Sequence, residues 1–510
     1  MSLWQDLLKQ MLEQEQKPQP EQPVSPPPPP RKVMHIAILQ KDHDSNDPIQ
    51  GALISGWIGR PTWSVQGTPI AWYVLEFVAP EGLNYGDPVS ILIKVTGYAD
   101  LELEEPFQET LGVHAKPLGP AKREGIVRRC GSYGIADDTG RFAPLGETLF
   151  WVLGGWRRGE HDRIKRNWAF LRQYGIDFQR VLCHATGGVW KDKGAEIDWR
   201  WPDFQDQLAS MVDAAYDQHG LRTQLTAIGT TGTADPVGLA HAIAEVVSAR
   251  RHKILLLEAV NEGNASRADA VAMARVFATT GLLYAVGLGD QGRDEVIEPA
   301  SNECAAPVGI LHPERGGDVN RQERQCWDFH QMRRVRSNGE PPGAQSSVGT
   351  LDDPFDHGTM RAACRITGTA IYVHHSGHGV FGVPYPYGAG LRYANLDEAP
   401  GLPAQLAAVR GVDAYLPADV EEWSPFNNGQ PVDTPGNNVD KLYGSRAGGR
   451  FAEVAIGAVG PLGLRAKEGP CQLRVLNAQT GQTVAERHLG QDEQLTVSGL
   501  RHYIMIGSIG

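Results

Sequence analysis

Two acidic residues close apolar runs and stand where a chain would turn. Ile254-Leu255-Leu256-Leu257 passes into Glu258-Ala259-Val260-Asn261-Glu262, and Gly263 follows at once. Later, Val335-Arg336-Ser337-Asn338-Gly339-Glu340 is stopped by Pro341-Pro342. The first run is too short for a helix of its own and fits a buried strand. A polar pair at the exit of a buried strand is costly unless it faces a cleft. Two carboxyls that meet across one cleft can divide a bond cleavage between them. One gives a proton to the leaving oxygen, and the other attacks the carbon that oxygen leaves. Glu262 and Glu340 are the candidate pair for this chemistry.

The neighbouring residues suggest how each carboxyl is tuned. Period two puts Glu258, Val260 and Glu262 on one side of the strand. Glu258 lies deeper, where a carboxylate needs a partner, and Arg180 in the run Phe178 to His184 is the candidate. Glu262 must be held protonated and Glu340 ionised, so Glu340 needs donors, which Arg180 and His312 are placed to supply. His374, His375 and His378 read either as metal ligands or as donors to substrate hydroxyls. One His-x-x-x-His pair without a placed carboxylate favours the hydroxyls, with His374 as the candidate. Trp151, Trp156, Trp190, Trp199 and Trp201 crowd two successive loops. Such rings commonly anchor cores, but Trp156 and Trp190 are the candidates for stacking on a substrate ring. Cys183 has no paired His and makes a poor nucleophile. Asp137-Asp138 reads as a turn and Asp352-Asp353 as a helix cap. No cofactor and no metal is called for.

These residues need a scaffold that brings distant strand ends together. From residue 131 to about 416, strand and helix signals alternate, as a parallel α/β fold requires. Strands are expected over Phe142 to Trp151, Phe178 to His184, Thr223 to Thr230 and Ile254 to Glu262. Four more are expected over Leu282 to Leu288, Val308 to His312, Val335 to Glu340 and Ala370 to His375. Helices between them are expected over Arg163 to Gly175, Phe204 to His219, Pro236 to Arg251, Ala265 to Thr280, Arg321 to Arg334 and His357 to Thr367. Eight such units fit a (β/α)₈ TIM barrel, for which roughly 250 residues is usual. An open doubly wound sheet is the alternative, but no Gly-x-Gly-x-x-Gly follows the first strand. Residues 33 to about 120 read as a small β domain, and 417 to 510 as a C-terminal β sandwich.

On these residues the segment from Gly131 to about Gly379 resembles the clan A glycoside hydrolases, above all the cellulase-like families. The resemblance rests on Arg180, on the run Glu258 to Glu262 and on Glu340. It implies a carbohydrate substrate, Glu262 as general acid/base, Glu340 as nucleophile and Asn261 on the sugar's 2-hydroxyl. The sequence departs from that pattern in three places. Gly263 stands where Pro is usual, His312 where an aromatic residue is usual, and His374-His375 where Trp is usual. In the β domain, Pro48 to Ile54 with Gly97-Tyr98 resembles the carboxypeptidase regulatory-like, or transthyretin-like, module. That likeness implies an accessory sandwich and no activity.

The bulk numbers narrow the remaining classes. The 510 residues carry a formal net charge of −12, and no basic run offsets it, which argues against nucleic acid as a partner. Six cysteines in so long a chain are no disulfide framework. No apolar run reaches the ~18 to 20 residues of a membrane span. Asp6 interrupts the N-terminus, where no basic n-region or long apolar run marks a signal peptide. Leu3, Trp4, Leu7, Leu8, Met11 and Leu12 instead space as a short amphipathic helix. Pro26 to Pro30 then favour a stiff polyproline spacer. A tethered helix suits docking to a protein partner or a second copy. The sequence leaves two readings: a retaining glycosidase, or a carbohydrate-binding attachment protein that has lost turnover.

Overall fold

The computed structural model describes residues 32–41, 46–48, 54–60, 63–66, 68–71, 74–80, 83–95, 101–108, 110–115, 122–288, 297–312, 327, 332, 334–339, 354–375, 395–399, 402–427, 431–436, 439–478 and 481–510. The N-terminal helix and proline run, residues 49–53, Gly97-Tyr98, nearly all of the helix expected over Arg321 to Arg334, Glu340, Asp352-Asp353 and His378 lie outside the described residues. The chain divides into two compact units, residues 1–118 and 119–510. No described helix is long and apolar enough to cross a membrane.

The first unit holds two sheets. Val33–Lys41 pairs antiparallel with Asn46–Pro48 and Val74–Val78 and parallel with Thr110–Ala115. Thr68–Ala71 extends the Val74–Val78 edge. The second sheet runs Trp63–Gln66, Ile54–Arg60, Pro88–Val95, Leu101–Pro106, antiparallel throughout. Val89, Ile91 and Ile93 are buried while Ser90 between them is exposed and Leu92 only partly buried, as period two requires of a half-buried strand.

The second unit is built on eight parallel strands. In chain order they are Leu145–Thr148, Phe178–Leu182, Arg222–Ile228, Ile254–Val260, Tyr284–Ala285, Val308–Leu311, Val335–Asn338 and Ile371–His374, here strands one to eight. They hydrogen-bond in the order five, four, three, two, one, eight, seven, six. The two ends of this ladder are consecutive strands, which is the connectivity of a (β/α)₈ TIM barrel. Strands two, three and four bury every residue, as parallel strands covered on both faces do. The helices carry recognisable stops and starts. Asp235 caps Pro236–Ser248 by accepting from the Gly238 N–H, with Pro236 in the first turn. Ser266 caps Arg267–Ala278 in the same way.

All eight strands are shorter than expected, most by only a residue or two, and strands one and five lose the most, each for a local reason. The chain before strand one is taken by a three-stranded antiparallel sheet, Arg128–Cys130, Gly134–Asp137 and Gly140–Phe142. Strand one therefore starts after Pro144, and the helix Val152–Arg157 follows it. Strand five is two residues long because Gly287, at φ 74°, turns the chain against strand four. A side chain there would meet the Val260 carbonyl at 2.0 Å and the Glu258 side chain at 2.9 Å. Beyond the barrel strands, helix Leu402–Tyr415 leads into a six-stranded antiparallel sheet faced by a three-stranded one. Strand Arg450–Ile456 is buried on both faces. Phe451 and Ala455 join the core between the two sheets, while Ala452 and Val454 pack with Ala362, Ile366 and Val412 of the barrel's last helices.

Candidate active site

The centre of the barrel mouth is a buried ion pair. Register places Arg180 beside Gln224 and Thr226 beside Glu258, and neighbours in a parallel ladder share a face. Arg180 Nε donates to Glu258 Oε2 at 3.0 Å, and Nη2 donates to Oε1 at 2.9 Å. Gln224 Nε2 donates to Oε2 at 3.0 Å, and the Thr226 hydroxyl donates to the same oxygen. All four residues are fully buried. A carboxylate so enclosed is stable only with this set of donors, and removing one partner of such a pair costs about 3–5 kcal/mol. The sequence predicted Arg180 as the partner of Glu258, and the structure places it there.

The same guanidinium reaches the exits of three further elements. Nη2 donates to Asn261 Oδ1 at 2.7 Å, and Nη1 donates to the Gly339 carbonyl at 3.2 Å. His312 Nε2 lies 3.4 Å from Nη2 and 3.9 Å from Glu258 Oε1. Arg180 also sits over the Phe150 ring, 5.2 Å from its centroid. Asn261, His312 and Gly339 are thus gathered round one buried cation, although they leave strands four, six and seven. Glu340, one residue past Gly339, lies outside the described residues.

Strand four leaves the barrel through a tight turn. Glu262 and Gly263 take φ 48° and 69°, and the Asn264 N–H donates to the Asn261 carbonyl at 3.2 Å. Two successive left-handed residues closed by that bond make a type I′ turn. Glu262 is half-buried. A non-glycine residue there costs roughly 1–2 kcal/mol, which is tolerated where surrounding contacts over-determine the backbone. The turn also explains Gly263: proline is locked near φ −65° and cannot occupy this position.

Strand eight corrects the sequence reading by one residue. His374 faces the helical layer, where its Nδ1 lies 2.6 Å from Glu147 Oε2 and its ring 4.9 Å from that of His357. His375 faces the mouth instead. Its Nδ1 lies 2.9 Å from the Thr148 hydroxyl, and Thr148 pairs in register with Arg180. Phe150 lies 5.9 Å from the His375 ring. The two tryptophans are not brought to this cluster. Trp156 stacks on Trp168 at 5.4 Å between helices, and its Nε1 donates to Ser210 Oγ at 3.1 Å. Trp190 is 1 % exposed within the core outside the barrel. Burying so large a ring outweighs leaving it at a wet opening.

Several mouth residues carried no sequence signal. Thr148 and Phe150 become visible only once register is known, and register is also what separates the face of His375 from that of His374. His184 could have been found from its period-two spacing with Arg180. It is buried at the strand-two exit, where burial pushes its imidazole below the usual value and Asp198, 3.9 Å away, only partly offsets this. Burial also pushes the Cys183 thiol well up, which disfavours the thiolate. Among the described residues, no group of three or more His, Cys, Asp or Glu is arranged to hold a metal.

No family model matches the sequence, and no curated protein matches it either. Solved structures do. A glycoside hydrolase family 5 protein from Bacteroides vulgatus ATCC 8482 aligns over 76% of this chain and 94% of its own, with a TM-score of 0.53 at 13% identity. A second structure, described as a glycoside hydrolase, aligns over 76% and 97% respectively, with a TM-score of 0.53 at 12% identity. At these identities the likeness is one of fold: the barrel here has the architecture of those two proteins.

Proposed function

We propose that the barrel hydrolyses O-glycosidic bonds of an oligosaccharide or polysaccharide by double displacement, with Glu262 as acid/base and Glu340 as nucleophile. The observation that carries this reading is the reach of Arg180. One buried guanidinium bonds Glu258 and Asn261 on one side and the Gly339 carbonyl, next to Glu340, on the other. The chain beside both carboxyls is thereby tied to one opening. The fold shared with two proteins described as glycoside hydrolases supports the same reading.

In the first step Glu262 gives its proton to the glycosidic oxygen as the bond from that oxygen to the anomeric carbon breaks. A Glu340 carboxylate oxygen forms a bond to that carbon, and the alcohol leaves. In the second step Glu262, now a carboxylate, takes a proton from water. The water oxygen displaces Glu340 and restores both groups. Asn261 accepts from Arg180 through Oδ1, so Nδ2 is its donor toward a sugar 2-hydroxyl. His312 and His375 bind further hydroxyls, with His375 replacing His374 in that role. In this reading residues 131–416 are the catalytic module, and 33–120 and 417–510 are accessory β modules. The apolar stretch Leu3 to Leu12, which the sequence spaces as a helix, would serve as the dock for a protein partner or a second copy.

A glycan-panel hydrolysis screen with product anomers followed by NMR tests the proposal. Glu340→Gln should lower kcat by roughly 10⁴-fold or more while glycan binding persists. The first product should keep its anomeric configuration, and inversion would rule out double displacement. Wild-type protein that binds glycans and cleaves none supports the attachment reading instead.

A further inference from the structure

We propose that Asn264 is a positioning residue for Glu262: its side-chain amide holds the left-handed turn that aims the acid/base carboxyl into the mouth. The inference rests on the assignment of Glu262 above.

Three observations converge on this side chain. Asn264 Nδ2 donates to the Asn261 carbonyl at 2.6 Å and to the Gly229 carbonyl at 2.8 Å, so one amide joins the exits of strands four and three. The Asn264 N–H donates to the same Asn261 carbonyl at 3.2 Å. Asn261 is itself fixed on both sides, because its N–H donates to Ile228 at 2.8 Å and its Oδ1 accepts from Arg180 at 2.7 Å. Glu262 and Gly263 are the two residues between these anchors, and both have positive φ. Glutamate does not choose this conformation, so the anchors impose it. Glu262 cannot relax to an ordinary backbone angle without breaking the Asn264 bonds. The placement matters because a general acid works only within hydrogen-bond reach of the oxygen it protonates.

The test compares leaving groups. Asn264→Asp keeps the size and removes the donor. On phenyl and alkyl glycosides, whose departure needs a proton, kcat/KM, which reports the first step alone, should fall by roughly 10–100-fold, the scale of a displacement of about 1 Å. On 2,4-dinitrophenyl glycosides of the same sugar, which depart without a proton, the loss should stay within about threefold. Equal losses on both would mark Asn264 as merely structural and overturn the proposal. A second arm is independent of turnover. Glu262→Asn, a residue that tolerates positive φ, should raise Tm by about 1–2 °C in the otherwise wild-type chain and not in Asn264→Ala. An unchanged or lower Tm in the first case would show that the turn imposes nothing on Glu262. If Glu262→Ala loses the acid-dependent substrates and Asn264→Asp does not, the positioning role alone falls. If Glu262→Ala matches the wild type on both substrates, or the wild type cleaves neither, the functional assignment falls and takes this inference with it.

Discussion

Glu258 in the barrel and Glu453 in the sandwich are both fully buried, and their surroundings treat them in opposite ways. Glu258 at the barrel mouth meets Arg180 through both oxygens, with Gln224 and Thr226 added. Glu453, on the face of strand Arg450–Ile456 that meets the second sheet, accepts one bond from the Val432 N–H at 3.0 Å. Its other oxygen is without a hydrogen bond among the described residues. Burial pushes Glu453 well above the usual carboxylate range, and Glu468 and Asp433 push the same way. Burial alone thus does not decide what a carboxyl does. An opposing cation makes it part of a charged scaffold, and its lack leaves a carboxyl that burial pushes toward its protonated form. The buried charge at the mouth orients Asn261 and the strand-seven exit.

The sharpest way to break this contrast is to remove the cation. Arg180→Met leaves the Glu258 charge buried without its bidentate partner and should destabilise the second unit by about 3–5 kcal/mol in urea titration. Arg180→Met with Glu258→Leu should recover much of that loss, because both charges are gone. It should recover no glycosidase activity, since Asn261 and Gly339 have lost their common anchor. A double variant as unstable as the single one would show that the ion pair is not what organises the mouth.

Asp137 sharpens the comparison from the acid side. Burial raises its affinity for a proton, but Arg123, at 2.8 Å, and Arg222, also at 2.8 Å, win and hold it below the usual range. A carboxyl depressed in the folded state contributes stability above its unfolded pKa, and that contribution is lost as pH falls through the folded value. Asp137→Asn should cost about 1.5–3 kcal/mol at neutral pH, the worth of charged hydrogen bonds, and flatten the acid limb of Tm against pH. Glu453 acts on the other limb. Its folded pKa is raised, so its full stability is present below the unfolded pKa. Stability is then lost as pH rises through the folded value, while the unfolded chain releases the proton first. Glu453→Gln should therefore gain about 1–3 kcal/mol at high pH and little near pH 4. A gain that does not grow with pH would remove Glu453 as its source.

How much of this was legible in the sequence follows from the range of each signal. The eight strands and five of the six expected helices show as local periodicity, whereas the short helices Val152–Arg157 and Ile297–Glu303 do not, and the run Glu258 to Glu262 shows as a change from apolar to polar at a strand end. Arg180 was found because a buried carboxylate must have a cation and strand two offered one. His374 and His375 are hard to tell apart in the sequence because both lie at one strand exit. Period two separates their faces only when the pairing with strand one is known, and a slip of one residue reverses every side. The turn at Glu262 was hidden for a related reason. Gly263 reads as a departure from a pattern until the backbone shows that only a residue free to take φ 69° fits. The sheet over Arg128–Phe142 was missed because its strands are three or four residues long, below what alternation can mark.

The smallest effect concerns the tryptophans, whose aromatic signal says that a ring will be buried but not where. Trp156 was a candidate for the sugar face, yet it is 5 % exposed and joins helices Val152–Arg157, His161–Gln173 and Phe204–His219 through Trp168 and Ser210. Trp156→Phe keeps an aromatic ring and removes the indole N–H, which leaves the Ser210 hydroxyl to find another partner. The expected cost is about 0.5–1.5 kcal/mol, one hydrogen bond, read as a small fall in Tm. Ser210→Ala should cost a similar amount, and the double variant should cost less than the sum, because the two single changes remove the same bond. Hydrolysis by Trp156→Phe should match the wild type in both kcat and KM. A rise in KM with kcat unchanged would instead mean that the ring binds substrate uniformly, and the helical layer would then have to open to expose it.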